Sequence, residues 1–364
     1  MPPVIVIRIV VGLLGAAVVV TTALSAIKTV ILPRASRSLI SRTLFLAVRR
    51  LFNRFAHDRR PFEERDRILA MYAPLALVLL PGVWVALTVA GFTAIFWGTG
   101  LNGLTNAFVT SGSSVVTLGY VRPEGVGRVA LTFVEAILGL GFVALMISYL
   151  PSMYTAFSRR ELLVGLLESR AGIPPSPVEM LTRYERIESL DRIDEDLFAL
   201  WEPWFVDVEE THTSTPAMVF FRSPQPGRSW ITAAGCVLDA ASLVASTLDR
   251  PRTPRAELCI RTGYLALRRI ADVFEIPYAP VPKPTDPISI SRREFDNVCV
   301  ELEAAGIALK ANRDAAWHAF AGWRVNYDAA LVGLTKLVVA PEARWSSDRP
   351  GEAFVPRFKR SRPR

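Results

Sequence analysis

The sequence predicts an all-α membrane protein: transmembrane helices, a re-entrant segment between two of them, and then an α-helical cytoplasmic domain. Three observations predict it. Hydrophobic residues make up 51% of the 364-residue chain, yet the long uncharged runs are confined to residues 1–157. Arginines crowd the segment between the first two runs, which sets the direction of the spans. Residues 158–345 have the mixed, charged composition of a water-soluble domain, with helical periodicity and little strand signal.

The first run, Ile9 to Ile27, is nineteen residues without a charge, bounded by Arg8 and Lys28. A helix needs ~20 such residues to cross a bilayer core. A cleaved signal peptide is the rival reading, because "ALSA" places small residues near Ser25. Arg8 inside the apolar start and the continuation through Val30–Leu32 favour a retained helix over residues 1–32. The second run covers about Leu69 to Trp97 and contains Pro74 and Pro81. Membrane helices tolerate proline where neighbours satisfy the freed carbonyls. The third, Val129 to Phe157, carries one charge, Glu135.

Between the first two runs, Pro33 to Arg67 holds ten arginines against four acids. Gly98 to Arg128, on the other side of the second run, has only Arg122 and Arg128 as cations. The positive-inside bias therefore predicts a multi-pass protein of the cell membrane, with the N-terminus outside and residues 33–68 and the C-terminal domain in the cytoplasm. Within the basic segment, Ile40, Leu44, Val48, Leu51, Phe52 and Phe55 share one helical face, and Arg42, Arg49, Arg50 and Asn53 the other. Such a helix lies in the membrane interface or packs on the cytoplasmic domain; the pattern leaves both open.

Between the second and third runs stands "SGSSVVTLGYVRPEG", Ser111 to Gly125. The moderately apolar stretch Gly103 to Val116 before its turn is too short to cross a bilayer and long enough to dip into one. Span, short helix, Thr117-Leu118-Gly119-Tyr120-Val121, span: residues 69–157 resemble the two-helix pore domain of the potassium channel family, whose filter reads Thr-Val-Gly-Tyr-Gly. The resemblance covers about a quarter of the chain.

The resemblance implies passive conduction of potassium or another monovalent cation through a homotetramer. Four loops would turn the carbonyls of Thr117, Leu118, Gly119 and Tyr120 inward to replace an ion's water shell. Gly119 supplies the positive φ such a loop needs, and Tyr120 braces it. The chain departs from the family at Val121, where a second glycine is usual, and at Arg122, where an acid is usual. A conducting pore and a degenerate loop kept as a membrane scaffold or sensor both remain open. In the pore-lining third span the resemblance implies gating positions at Gly139 and Gly141, with close helix packing as the other reading; Pro151 is placed to bend its inner end. An acid inside a span is a functional candidate. Glu135 is expected to pair with Arg122 or Arg128 at the pore mouth, or to hold a cation.

Beyond residue 157, Arg159 and Arg160 are expected to anchor the span's inner end. Helices are predicted at about Val178–Trp201, Ser229–Thr247, Pro254–Phe274 and Ser291–Leu337, the last broken near Gly306 or Gly322, with one strand at Ala217–Phe221. No catalytic or cofactor motif is present, and no glycine-rich phosphate loop, so no enzyme activity or cofactor is expected. Cys236, Cys259 and Cys299 lack disulfide or zinc spacing, and His57, His212 and His318 are scattered, so no metal site is expected. The acids of "DRIDED", Asp191 to Asp196, lack calcium-loop spacing and read as a solvated face. A net charge of +8 and the basic segment 346–364, read as a disordered tail, favour anionic lipid rather than nucleic acid as a partner.

Overall fold

The computed structural model describes residues 3–31, 38–57, 59–187, 190–252 and 254–349. Among them every regular element is helical, and Leu248 and Leu309 form an isolated antiparallel bridge. The chain divides into two compact units, Met1–Thr155 and Ala156–Arg364.

The first unit holds α1 (Pro3–Val30), α2 (Leu39–Phe55), α3 (Phe62–Ala70), α4 (Tyr72–Gly98), α5 (Leu104–Val115) and the start of α6 (Val126–Ala171). Three stretches are long and apolar enough to cross a membrane: α1, Phe62–Gly98 and α6. Pro74 falls in the first turn of α4, where backbone N–H groups lack helical partners in any case. Pro81 lies inside that helix.

Small residues bring α1 and α4 together. A Cβ on Gly98 would fall 2.9 Å from the Gly12 Cα, and one on Gly91 would fall 2.9 Å from the Gly15 carbonyl. Further along, the Trp84 indole donates to the Ser25 hydroxyl at 3.2 Å. The pairs 12 with 98, 15 with 91 and 25 with 84 run in opposite directions, so the two helices are antiparallel. Backbone contact of this kind is what membrane helices use where burial of apolar surface supplies no net drive.

The Ser38 hydroxyl caps α2 by accepting from the Ser41 N–H, and it also meets Ser25 of α1. Thr29 and Ser41 pair at 2.7 Å. Ile40, Leu44 and Phe45 pack on Ala26, Leu80, Trp84 and Phe142. The first half of the predicted apolar face thus docks on the spans, while Leu51 and Phe55 remain exposed. Arg49, expected on the polar face, is buried with its guanidinium 5.2 Å over the Tyr72 ring. The ring face offers the cation an electrostatic partner that water does not have to supply.

In the second unit the end of α6 is followed by α7 (Pro177–Ile187), α8 (Ala199–Ser214), α9 (Trp230–Ser246), α10 (Pro254–Phe274), α11 (Arg292–Ala304), α12 (Arg313–Arg324) and α13 (Asp328–Val338). α9 is buried on nearly every face. Its alanines, serines and Gly235 admit close neighbours, and its one charge, Asp239, is matched. Arg324 Nη1 reaches Asp239 at 2.5 Å, Tyr327 donates to the same carboxylate at 2.8 Å, and Arg324 Nε meets Asp328 at 2.7 Å. A buried pair of this kind stabilises little in itself, but removing one partner costs several kcal/mol, ~3–5.

Several expectations need correction here. The helix expected over Val178–Trp201 stops at Ile187 and resumes as a π turn at Asp194–Phe198 leading into α8. Arg250 bridges the break, donating to the Leu190 carbonyl and to Asp194, both at 2.9 Å. The DRIDED acids are therefore paired rather than merely solvated: Glu195 meets Arg255 at 3.2 Å and Asp196 meets Arg192 at 3.2 Å. The strand expected at Ala217–Phe221 is a 3-10 helix, Pro216–Phe220, started by proline's fixed φ. The long C-terminal run breaks before Gly306, at φ +88°, and again after Arg324; Gly322 stays helical.

Arg160 is no membrane anchor. Its side chain is fully buried, donating to the carbonyls of Met218 at 2.9 Å and Phe221 at 2.7 Å and paired with Glu161 at 2.8 Å. Its Nη1 also lies 3.2 Å from His212 Nε2. Residues 346–349 belong to the packed unit, with Ser346 buried and Arg349 bridging to Glu294 at 2.8 Å. The rest of the expected basic tail, 350–364, lies outside the described residues. The three cysteines are free and buried.

Candidate functional site

The site is built on the turn from α4 to α6. After Gly98 the chain reverses through Gly100 and Gly103, at φ +93° and +83°, and enters α5. Twelve residues of α-helix rise only ~18 Å, well short of a ~30 Å hydrocarbon core. The buried residues of α5 are Ala107, Thr110, Ser111, Ser113, Ser114 and Val115. Small and hydroxylated side chains let the helix approach its neighbours closely, and the hydroxyls return hydrogen bonds to its own carbonyls, as Ser114 does to Thr110 at 2.8 Å.

Two contacts seat α5 against the long helices. The Ser111 hydroxyl lies 3.1 Å from the Val89 carbonyl of α4 and 2.5 Å from Glu135 Oε1 of α6. At its C-terminal end the Val115 carbonyl faces the bare α-carbon of Gly139 on α6. Ala107, on the opposite end, packs with Phe92 and Phe96. The contact at Val89 lies within α4, not at its end.

Beyond α5 the chain loses regular structure. The Ser113 carbonyl accepts from the N–H groups of Leu118 at 2.9 Å and Gly119 at 3.3 Å, and the Val121 N–H points at the Ser113 hydroxyl at 3.4 Å. Thr117 and Gly119 both adopt left-handed backbone, at φ +58° and +67°. Leu118 and Tyr120 are 67% and 66% exposed. Thr117, Leu118, Gly119, Tyr120 and Val121 thus form one contiguous irregular loop folded back on Ser113.

The remaining site residues fall differently from expectation. Backbone strain sits at Thr117, at φ +58°, a β-branched residue for which positive φ is costly, and not at Val121, where the family has glycine. Tyr120 is not braced by its own chain. Glu135 pairs with neither Arg122 nor Arg128. Arg122 is exposed, and Arg128 donates to the Thr99 carbonyl at 2.8 Å, two helical turns before Glu135. Glu135 is fully buried against Ser111 instead, and its Oε2 has no hydrogen-bond partner. Gly139 and Gly141 differ: the first is in contact with Val115, while a Cβ on the second would meet open space. Pro151 lies inside an uninterrupted α6.

Ser111, Ser113 and Val89 carry no distinguishing motif, and only the run of small hydroxyl residues in "TSGSS" hinted at their role. Among the described residues no group of histidine, cysteine or acidic side chains is arranged to hold a metal ion. Compared with known proteins, the chain matches no protein-family model, no curated protein and no solved structure.

Proposed function

We propose that the protein is a potassium-channel-like membrane protein, conducting potassium or another monovalent cation passively through a homotetrameric pore in the cell membrane. The observation that carries this reading is the loop from Thr117 to Val121, irregular and uncovered in one chain, held by a short helix seated against Val89 and Glu135 of two membrane-length helices. Irregular backbone at membrane depth is stable only where protein buries it or water fills the space beside it. Three further copies around an axis would supply those walls, cover Leu118 and Tyr120, and bring four sets of carbonyls to one ion. The N-terminus lies outside, and the second unit, with the basic segment, faces the cytoplasm and its anionic lipids.

A second reading, a non-conducting scaffold or sensor that binds a partner through the second unit, is favoured by Val121 and by the exposed cation Arg122 beside the loop. Purified full-length protein in liposomes separates the two. Potassium flux above that of protein-free vesicles, from an assembly of four chains by native mass measurement, supports the pore. A stable monomer or dimer without flux supports the scaffold.

A further inference from the structure

Ser111 stands between two acceptors and owns one proton. A serine hydroxyl offers one donor and two lone pairs. Its oxygen is 3.1 Å from the Val89 carbonyl, which can only accept, and 2.5 Å from Glu135 Oε1. If Glu135 were a carboxylate, the single Ser111 proton could serve one of these oxygens, and the other would face a lone pair. If Glu135 carries a proton, the array closes: Glu135 donates to Ser111, and Ser111 donates to Val89.

The surroundings agree. Glu135 is fully buried and its Oε2 has no partner. As the carbonyl oxygen of a neutral acid that atom costs far less unpartnered than as part of a buried charge. No cation faces it. α5 contains no ionisable residue. The one in α4, Tyr72, is at the far end of that helix and donates to the Phe45 carbonyl. On α6, Arg128 is taken by Thr99. On α1, which packs on α4, Arg8 lies 5.6 Å from the Trp97 ring centroid, and Lys28 is near the opposite end of the helix.

We infer that Glu135, Ser111 and the Val89 carbonyl form a buried proton-binding site that fastens α5 to both long helices. The ligand is a proton, and no other co-reactant enters. Losing it would leave a buried carboxylate without a cation, drawing the Ser111 hydroxyl away from the Val89 carbonyl, to which Thr93 Oγ1 also donates at 2.7 Å, and α5, with the loop it carries, would come loose.

Infrared spectroscopy of the full-length protein in lipid reads the proton directly, and it does so whether or not the protein conducts. The difference between wild type and Glu135→Gln at neutral pH is expected to contain the C=O stretch of a protonated carboxyl, shifted in heavy water. Taking the difference isolates Glu135 from other acids such as Asp239. Ser111→Ala is expected to keep the band and move it to higher frequency, as a carboxyl does when its hydrogen bond is lost. This second variant also serves if Glu135→Gln does not fold. A wild-type spectrum at neutral pH with no protonated-carboxyl band that either variant removes or moves would overturn the proposal.

Discussion

Gly139 of α6 rests against the carbonyl of Val115, so near that a Cβ on that glycine would collide with the last turn of α5. Two residues on, Gly141 faces open space. The two glycines, alike in sequence, therefore answer differently to the same substitution. Gly139→Ala is expected to cost about 1–3 kcal/mol by overpacking. Gly141→Ala is expected to be neutral, or to stabilise by up to about 1 kcal/mol through helix propensity. Thermal unfolding in mild detergent distinguishes them. Equal losses at both positions would mean that the contact with Val115 is not what Gly139 is for.

Gly119→Ala tests the loop. The added Cβ meets a left-handed backbone at φ +67°, a cost of roughly 1–2 kcal/mol per chain. Cation flux is expected to vanish while expression and assembly persist, because the surrounding helices do not depend on this residue. The double change Val121→Gly with Arg122→Asp is expected to raise potassium flux. Undiminished flux through Gly119→Ala would remove Thr117–Val121 from the conduction path.

The direction of the spans is open to labelling. In a background without the native cysteines, single cysteines at His57 and His318, both exposed, are expected to resist an impermeant thiol reagent in intact cells. A cysteine at Glu124, exposed in the turn before α6, is expected to react. Reaction at His57 without reaction at Glu124 would invert the topology.

His212 predicts a pH effect in the second unit. Burial, and then the adjacent Arg160 charge, hold its imidazole well below its ordinary value. The geometry agrees, since Arg160 Nη1 can only donate and His212 Nε2, 3.2 Å away, must accept. An unfolded chain binds a proton at this histidine near pH ~6.5, whereas the folded chain refuses it. The sign follows: stability is complete above about pH 6.5 and falls as pH drops below it, by up to about 1.4 kcal/mol per pH unit. Unfolding midpoints of the full-length protein at about pH 7.5 and about pH 5.5 are expected to differ more in wild type than in His212→Gln. Parallel declines in the two proteins would show that His212 does not titrate on unfolding.

Much of this architecture is legible in the sequence. Nineteen uncharged residues between Arg8 and Lys28 leave little choice but a long helix, and α10 begins at Pro254 and ends at Phe274 as its pattern indicates. Contacts between distant residues were not readable. Nothing local ties Glu135 to Ser111, twenty-four positions apart, so the nearer arginines looked like its partners. Arg160 read as a lipid anchor because it follows an apolar run, and only the folded unit supplies the carbonyls that bury it. The left-handed Thr117 ran against its residue type, since threonine disfavours that region; the turn onto the Ser113 carbonyl imposes it.

The glycine seam between α1 and α4 also bears on how the protein is made. Gly15 leaves the ribosome seventy-six residues ahead of Gly91, its partner across the seam. At roughly 5–20 residues per second, that is a delay of about 4–15 s. During that interval the grooved face of α1 at Gly12 and Gly15 lacks its α4 partner, while Ser25 and Thr29 can already meet Ser38 and Ser41 at the start of α2. The seam between α1 and α4 therefore closes only after α4 is made, and a change that fills the groove at Gly12 or Gly15 is expected to act on that late pairing rather than on the formation of α1 itself.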